Sequence, residues 1–463
     1  MLLRKAILIA QAILCLLFYT GCGKAERPAF VSLDAGRLES KVIATIGRDE
    51  SPESINSAGG HGGEAADNGL PAFIIQFSRD ADGTAYVSRR SGKAYVVHNS
   101  NAYGPYERLG DFTISPDGSR VTFVVKRGKK WSLAIDGKEY GSYDELGDPV
   151  FSPDSRHVAV EARMGERWRV VVDGRFESRP CESYYEKPIF SADSKRLLLI
   201  ENTKDVMIKN LVISAPDFRD VKVHQFRGGL FVMAEDGKRF GVVDERADGK
   251  RLMQFNFDRP DHVDVGPSYD DLSYISFSKD GIHTAYAAIK KDKRYLILDN
   301  RTEELPKGDL VSLPVIRPDG KGLVIFMSDK DGVWPHEAFY ATGLKKKRCM
   351  QAGDFMFSPD GRHYAYTCTK DNILYLVLDG KEIKTGYDVI VSPIFSPDSG
   401  SLAMRAKRQG KRFVATLDIK TMKITEHPVF ERIFEPFFSG DGAVVSYGVK
   451  EGSNLTRKSL RLR

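Results

Sequence analysis

A chain of 463 residues with 41% hydrophobic and 29% charged side chains has the balance of an ordinary folded protein and is long enough for several domains. Its formal net charge of +6 is a slight excess of Lys and Arg that names no partner, and 5 cysteines exclude the disulfide framework on which small secreted domains depend.

Arg4 and Lys5 form a short positive region, and Ala6 to Phe18 is an almost unbroken apolar run too short to span a bilayer comfortably. This pattern predicts a signal peptide over residues 1–21. The run stops at Tyr19-Thr20-Gly21-Cys22, which resembles the lipobox of bacterial lipoproteins, with Tyr19 in place of the family's usual Leu. The resemblance implies that the Cys22 thiol takes a diacylglycerol and becomes the new N-terminus. No later segment is long and apolar enough to cross, so membrane attachment is expected through the lipid anchor alone. Gly23 and Lys24 follow the cysteine, without the Asp that retains enteric lipoproteins at the inner membrane. The expected location is therefore the outer membrane, facing the periplasm.

Residues 22–70 contain Ala29-Phe30-Val31-Ser32-Leu33 and Lys41-Val42-Ile43-Ala44-Thr45-Ile46, each able to form one strand. From Arg48 to Leu70 the chain is rich in Gly, Ser and acidic residues and poor in apolar ones, a composition that predicts a flexible tether.

Residues 71–463 repeat one pattern. It reads Ile114-Ser115-Pro116-Asp117-Gly118, Phe151-Ser152-Pro153-Asp154-Ser155, Phe190-Ser191-Ala192-Asp193-Ser194, Phe277-Ser278-Lys279-Asp280-Gly281, Ile316-Arg317-Pro318-Asp319-Gly320, Phe357-Ser358-Pro359-Asp360-Gly361 and Phe395-Ser396-Pro397-Asp398-Ser399. Weaker copies end in Asp82-Gly83, Asp236-Gly237 and Asp441-Gly442. The spacing of about forty residues is the period of a four-stranded propeller blade. Pro fixes φ, Asp bonds the turn backbone and Gly relaxes the dihedrals, so each copy is a tight turn. An alternating run follows, such as Val121-Thr122-Phe123-Val124-Val125, then a charged hairpin tip. A third strand ends in Asp-Gly, as at Asp136-Gly137, Asp173-Gly174 and Asp379-Gly380, the strongest short hairpin signal. A fourth strand leads to a Tyr-Asp element at Tyr143-Asp144, Tyr269-Asp270 and Tyr387-Asp388.

The repeated Phe-Ser-Pro-Asp-Gly motif resembles the propeller repeat of TolB-like proteins, which are related to WD-repeat blades and to prolyl-oligopeptidase propellers. The resemblance covers about residue 72 to 463 and implies an all-β propeller. TolB carries an N-terminal α/β domain where this chain has only a tether, and a peptidase relative would need Gly-x-Ser-x-Gly, which does not occur. About ten units predict 8–10 blades, in one ring or split into two smaller ones. The last copy leaves room for only three strands before the chain ends, so Val42 to Ile46, or alternatively Phe30 to Leu33, is expected to supply the missing outer strand.

The repeated Asp117, Asp154, Asp193, Asp280, Asp319, Asp360 and Asp398 are read as turn residues and not as catalytic or calcium-binding carboxylates. No catalytic motif, metal-ligand spacing or cofactor signature occurs, so a non-enzymatic protein without cofactor or metal is expected. His157 and His363 are expected on the strand surface. Cys349 and Cys368 are placed to reach one face, where a disulfide or two buried thiols both fit, leaving Cys181 unpaired. Trp131, Trp168 and Phe413 recur at matching positions and are expected to pack between blades. The tips joining second to third strands gather Lys126, Arg127, Lys129, Lys130, Arg163, Arg167, Lys290, Lys291, Lys407, Arg408 and Lys411 into a basic rim that would attract an envelope protein or an anionic envelope polymer. Exported as it is, the protein would not meet nucleic acid, and a monomer is expected. These readings predict a membrane-anchored periplasmic scaffold for protein–protein interaction. The alternative is a propeller that binds a small molecule or glycan in its channel, as a hydrolase or lyase could.

Overall fold

Ten antiparallel sheets follow one another in the computed structural model, which describes residues 29–33, 35–46, 51–52, 75–79, 81–339 and 347–462. The segment expected to be a signal peptide, Cys22, and residues 47–50 and 53–74 lie outside the described residues. Numbered along the chain, the blades span 75–106, 108–143, 145–177, 183–227, 231–265, 271–304, 309–338, 351–384, 389–426 and 432–461. Blade 2 shows the plan: inner strand Arg108–Ile114, second strand Val121–Arg127, third strand Lys130–Ile135 and outer strand Lys138–Tyr143, each hydrogen-bonded to the next. In blade 7 the described residues supply the inner, second and third strands, and 340–346 lie outside them.

The second strands are apolar on both faces because each is covered by the blade on either side. Val121, Phe123 and Val125 pack toward blade 1, while Leu133 and Ile135 of the adjoining third strand meet Val158 and Val160 of blade 3. Every pair of neighbours shares one such cluster, including blade 10 with blade 1, where Ala44, Ile46, Ile75, Tyr86, Val97 and Leu455 meet. That last cluster decides between the expected arrangements: the blades form one closed ring of ten. Each fully buried aliphatic or aromatic side chain contributes ~1.5–3 kcal/mol, so the interfaces carry the stability.

The N-terminal segment closes the ring. Glu39–Thr45 runs antiparallel to Asn454–Arg461 as the outer strand of blade 10, with Glu39 opposite Ser459 and Thr45 opposite Asn454. Ala29–Ser32, the alternative closing strand, instead adds in parallel to Lys423–Glu426 as a fifth strand of blade 9. Ser51–Pro52 pairs with Ser88 and Arg89, beside the inner strand Ile75–Phe77 of blade 1.

The turn motif works through its serine. In Phe151-Ser152-Pro153-Asp154 the buried Ser152 hydroxyl donates to the Asp154 carboxylate at 2.6 Å and accepts from the His157 amide at 2.9 Å. Ser115, Ser191, Ser278, Ser358, Ser396 and Ser439 repeat the serine–aspartate bond. Burial works against ionisation of Asp117, yet hydrogen bonds from Ser115, Ser119 and Ser155 hold its carboxyl down to about 2. Where the fifth residue is Ser, at 155, 194 and 399, it sits at positive φ and its hydroxyl accepts the amide of Asp117, Asp154 or Asp360 in the preceding blade. The turns are thereby linked from blade to blade.

Blade 1 departs from the expected register. The amide of Gly83 donates to the Ser78 hydroxyl and that of Ala81 to the Ser78 carbonyl, which puts Ala81, at φ 55°, where Gly118 stands in blade 2. Asp82 therefore lies beyond the turn position that Asp82-Gly83 suggested. It pairs instead with Lys41 of the closing strand and Arg457 of blade 10, each at 2.6 Å, across the seam of the ring.

The hairpin aspartates also do structural work. Asp136, Asp173, Asp299 and Asp379 have φ between 48° and 56°. Each carboxylate accepts the amide that opens the second strand, from Val121, Val158, Thr284 and Tyr364. His157 and His363, expected on the strand surface, instead stand one residue before the second strand and are half-buried, because their Nδ1 atoms turn in to lie 2.8 and 2.7 Å from Asp173 and Asp379. Cys349 and Cys368 form a disulfide with Cα atoms 5.5 Å apart, and Cys181 is buried and free. Phe413 packs between blades 8 and 9 against Tyr387. Trp131 and Trp168 are only half-buried and lie beneath cations, Trp131 under Arg108 and Lys126 and Trp168 under Arg163, because the strand position they share reaches the rim.

Candidate functional site

Alternating strand direction sorts the loops onto two faces. The Ser-Pro-Asp turns and Asp-Gly hairpins lie on one, called here the turn face. The second-to-third strand tips and the blade-to-blade connections lie on the other, the tip face.

On the tip face the Tyr-Asp element fastens the tips. Asp144, Asp270 and Asp388 accept the backbone amides of Gly165, Lys291 and Gln409 at 2.8, 2.7 and 2.6 Å. The tyrosine before each packs against the neighbouring blade. The basic side chains named from the sequence reach this face, but many are neutralised there. Arg127 pairs with Glu139, Lys130 with Asp144, Arg163 with Glu145, Arg167 with Glu182, and Arg408 with Glu426, a buried carboxylate that also accepts from Tyr387. Lys126 rests over Trp131 and Lys290 reaches the Ser268 carbonyl. Lys129, Lys291 and Lys411 extend into solvent without an ion pair among the described residues, and Lys407 adjoins them at the end of its strand. The rim is a mosaic of fixed pairs with scattered cations. The carboxylates come from connections and outer strands, so the tip sequences alone do not reveal them.

The inner strands carry a second arrangement that the sequence reading missed. Six residues before each repeat Asp, the inner strand bulges or breaks, as between Leu109 and Phe112, Ser273 and Ser276, Gly353 and Met356, and Val391 and Ile394. From blade 2 to blade 10 the residues there are Asp111, Asp148, Lys187, Leu230, Tyr274, Leu313, Asp354, Ser392 and Glu435. They form three arcs around the channel: charged in blades 2–4, apolar in blades 5–7, and polar to acidic in blades 8–10. A constant offset from the repeat Asp is the signal that would have found them.

Adjacent members bond from blade to blade. Asp111 and Asp148 share a hydrogen bond between blades 2 and 3, and Lys187 of blade 4 pairs with Asp148. The hydrogen bond that protonated Asp111 donates to Asp148, together with burial and the charge of Asp148, pushes Asp111 up to about 6. Burial opposes ionisation of Asp148, but the bond to Asp111 and the charge of Lys187 keep its carboxyl below the ordinary range. Glu161, on the second strand of blade 3, is raised to about 7 by burial and by Asp148. The pair therefore holds one proton well above the usual carboxylate range, with Lys187 beside it. In blades 9 and 10 Ser392 donates to Glu435 at 3.0 Å and Arg405 reaches the same carboxylate at 3.1 Å. Chemically the arrangement can bind a polar ligand or pass it a proton. Among the described residues no three His, Cys, Asp or Glu side chains are placed to hold a metal ion.

No family model and no curated protein matches the chain. Solved structures do. A crystal structure of a eukaryotic initiation factor is 12% identical, with a TM-score of 0.41, covering 83% of this chain and 94% of that one. TolB from Acinetobacter baumannii is 14% identical, with a TM-score of 0.28 and coverage of 63% and 77%. The β-propeller domain of the Trilobed protease from Pyrococcus furiosus is 13% identical, with a TM-score of 0.32 and coverage of 61% and 96%. The likeness to these proteins is one of propeller fold alone.

Proposed function

We propose that this protein is an exported, lipid-anchored scaffold that acts by binding, and that its tip face docks an acidic surface of a protein in the bacterial cell envelope. The observation that carries this reading is the fastening of the tips by Asp144, Asp270 and Asp388, which orders the face before any partner arrives. A preorganised face loses little entropy on docking, and the extended Lys129, Lys291 and Lys411 would steer the encounter. The disulfide between Cys349 and Cys368 suits an oxidising compartment, and the lipobox-like sequence at Cys22 suits a membrane anchor. The test is cross-linking in the envelope followed by purification, with wild type beside Lys129→Glu/Lys291→Glu/Lys411→Glu. The reading expects a protein partner that the charge-reversed variant loses. Recovery of the same partner by both, or of none, would overturn it. For the anchor, Cys22→Ser is expected to abolish lipid incorporation and release the protein from the membrane.

A second reading has its own support in the shared proton of Asp111 and Asp148 beside Lys187, next to the apolar arc of blades 5–7 in the same ring. That combination suits a small molecule or glycan with a polar and an apolar side. Ligand binding that Asp111→Asn and Lys187→Ala weaken, while the tip variants leave it intact, would favour the channel over the tips.

A further inference from the structure

On the turn face, opposite the tips, blades 2 and 3 flank an open cleft of about 370 Å³ whose wall carries Arg120, Lys138, Tyr140, Arg156, Asp173 and Arg175. The cations converge there from both blades: Arg120 and Arg156 follow consecutive Ser-Pro-Asp turns, and Lys138 and Arg175 follow consecutive Asp-Gly hairpins. The charges in the wall are not balanced. Asp173 is already engaged by His157 and by the Val158 amide. Arg120 is held by Asp136 and by the carbonyls of Ser155 and Arg156, which fixes its guanidinium at the mouth. Arg156 stands 4.0 Å from Asp154, and Lys138 and Arg175 meet no carboxylate among the described residues. Converging like charges repel one another, so a wall of this kind gains most from a divalent anion.

We propose that this cleft binds a small molecule bearing a phosphate group. Guanidinium groups match phosphate oxygens in a two-point geometry and carry little hydration to lose, which favours phosphate here. The cleft is larger than inorganic phosphate and leaves room for an organic body beside the phosphate. Tyr140 offers that body a ring face, with the Lys138 ammonium 5.2 Å from the ring centre. Gly174, at φ 67°, permits this wall: a Cβ there would stand 2.4 Å from the Tyr140 ring. The phosphate could belong to a soluble sugar phosphate or to a lipid headgroup, and the two sources are separable.

The experiment is calorimetric titration of the full protein with pyrophosphate and with glycerol 3-phosphate, together with co-sedimentation on phosphatidylglycerol vesicles. Wild type, Lys138→Ala/Arg175→Ala and the tip-face control Lys129→Ala/Lys411→Ala are compared at one ionic strength. All four substituted side chains are exposed, so folding is expected to be unchanged, with thermal midpoint as the check. Binding of the soluble probes, weakened about tenfold or more in the turn-face variant and kept in the control, supports a free phosphate ligand. Vesicle binding lost in the same variant, without binding of the soluble probes, supports a headgroup. Absence of binding to all three probes, or equal binding by wild type and the turn-face variant, overturns the proposal.

Discussion

The two faces of the ring are built from the same four strands but held by different chemistry. On the turn face, buried serine hydroxyls bond aspartates, and Ser155, Ser194 and Ser399 tie one blade's turn to the turn before it. On the tip face, exposed carboxylates hold backbone amides, and ion pairs such as Lys130 with Asp144 lie in water. Buried bonds are expensive to break because their partners are left unsatisfied, whereas exposed pairs exchange readily with solvent. The turn face is therefore the structural side, and the tip face is the side on which sequence can vary at small cost. The cleft between blades 2 and 3 departs from this division, since its cations converge on the structural side without full compensation.

Substitutions can sharpen or break this comparison. The largest effect is expected at the disulfide, the one covalent cross-link among the described residues. Cys349 and Cys368 stitch the connection from blade 7 to the second strand of blade 8 across a separation of 19 residues, and replacing both with Ser should cost about 3 kcal/mol in urea unfolding. Ser152→Ala on the turn face comes next, with a loss of about 2 kcal/mol, because the Asp154 carboxylate and the His157 amide both lose the buried hydroxyl. Glu161→Gln, in the channel wall, tests the pH dependence. Its carboxyl is raised from 4.5 to about 7, so folding favours the protonated form. That stabilisation is complete below about pH 4.5 and disappears as pH rises through about 7. The Gln variant should lose this dependence and gain about 1–2 kcal/mol at pH 8, after allowance for partial exposure. The turn aspartates act in the opposite direction, since Asp117 is held down to about 2 and its stabilisation disappears only in strong acid. Asp144→Ala on the tip face should cost clearly less than Ser152→Ala, because solvent replaces its bonds to the Gly165 amide and Lys130, and Lys130→Ala should cost less still. If Asp144→Ala proved as costly as Ser152→Ala, the contrast between the faces would fail.

Much of the ring was legible in the sequence because its signals are local. The forty-residue period, the Asp-Gly hairpins and the alternating second strands each depend on neighbouring residues, and the count of strands after Phe437-Phe438 required a closing strand from elsewhere. What the sequence concealed depends on partners from other elements. Asp82-Gly83 looks like a turn, but the bonds to Ser78 displace it from the turn position, and Asp82 becomes the clasp of the seam. The cations of the rim read as a positive belt until Glu139, Glu145, Glu182 and Glu426 are placed beside them. Asp111, Asp148 and Lys187 carry no motif, and only the bulges of successive inner strands bring them into one arc.

Both faces and the channel require that all ten blades share one ring, and that requirement rests on Glu39–Thr45. Hydrogen exchange of that strand is the most direct test. The closed ring predicts amides in Glu39–Thr45 exchanging as slowly as those of their partner Asn454–Arg461, through opening close to the global free energy of unfolding. Exchange of Glu39–Thr45 at the rate of an unstructured chain, while Asn454–Arg461 stays protected, would contradict it.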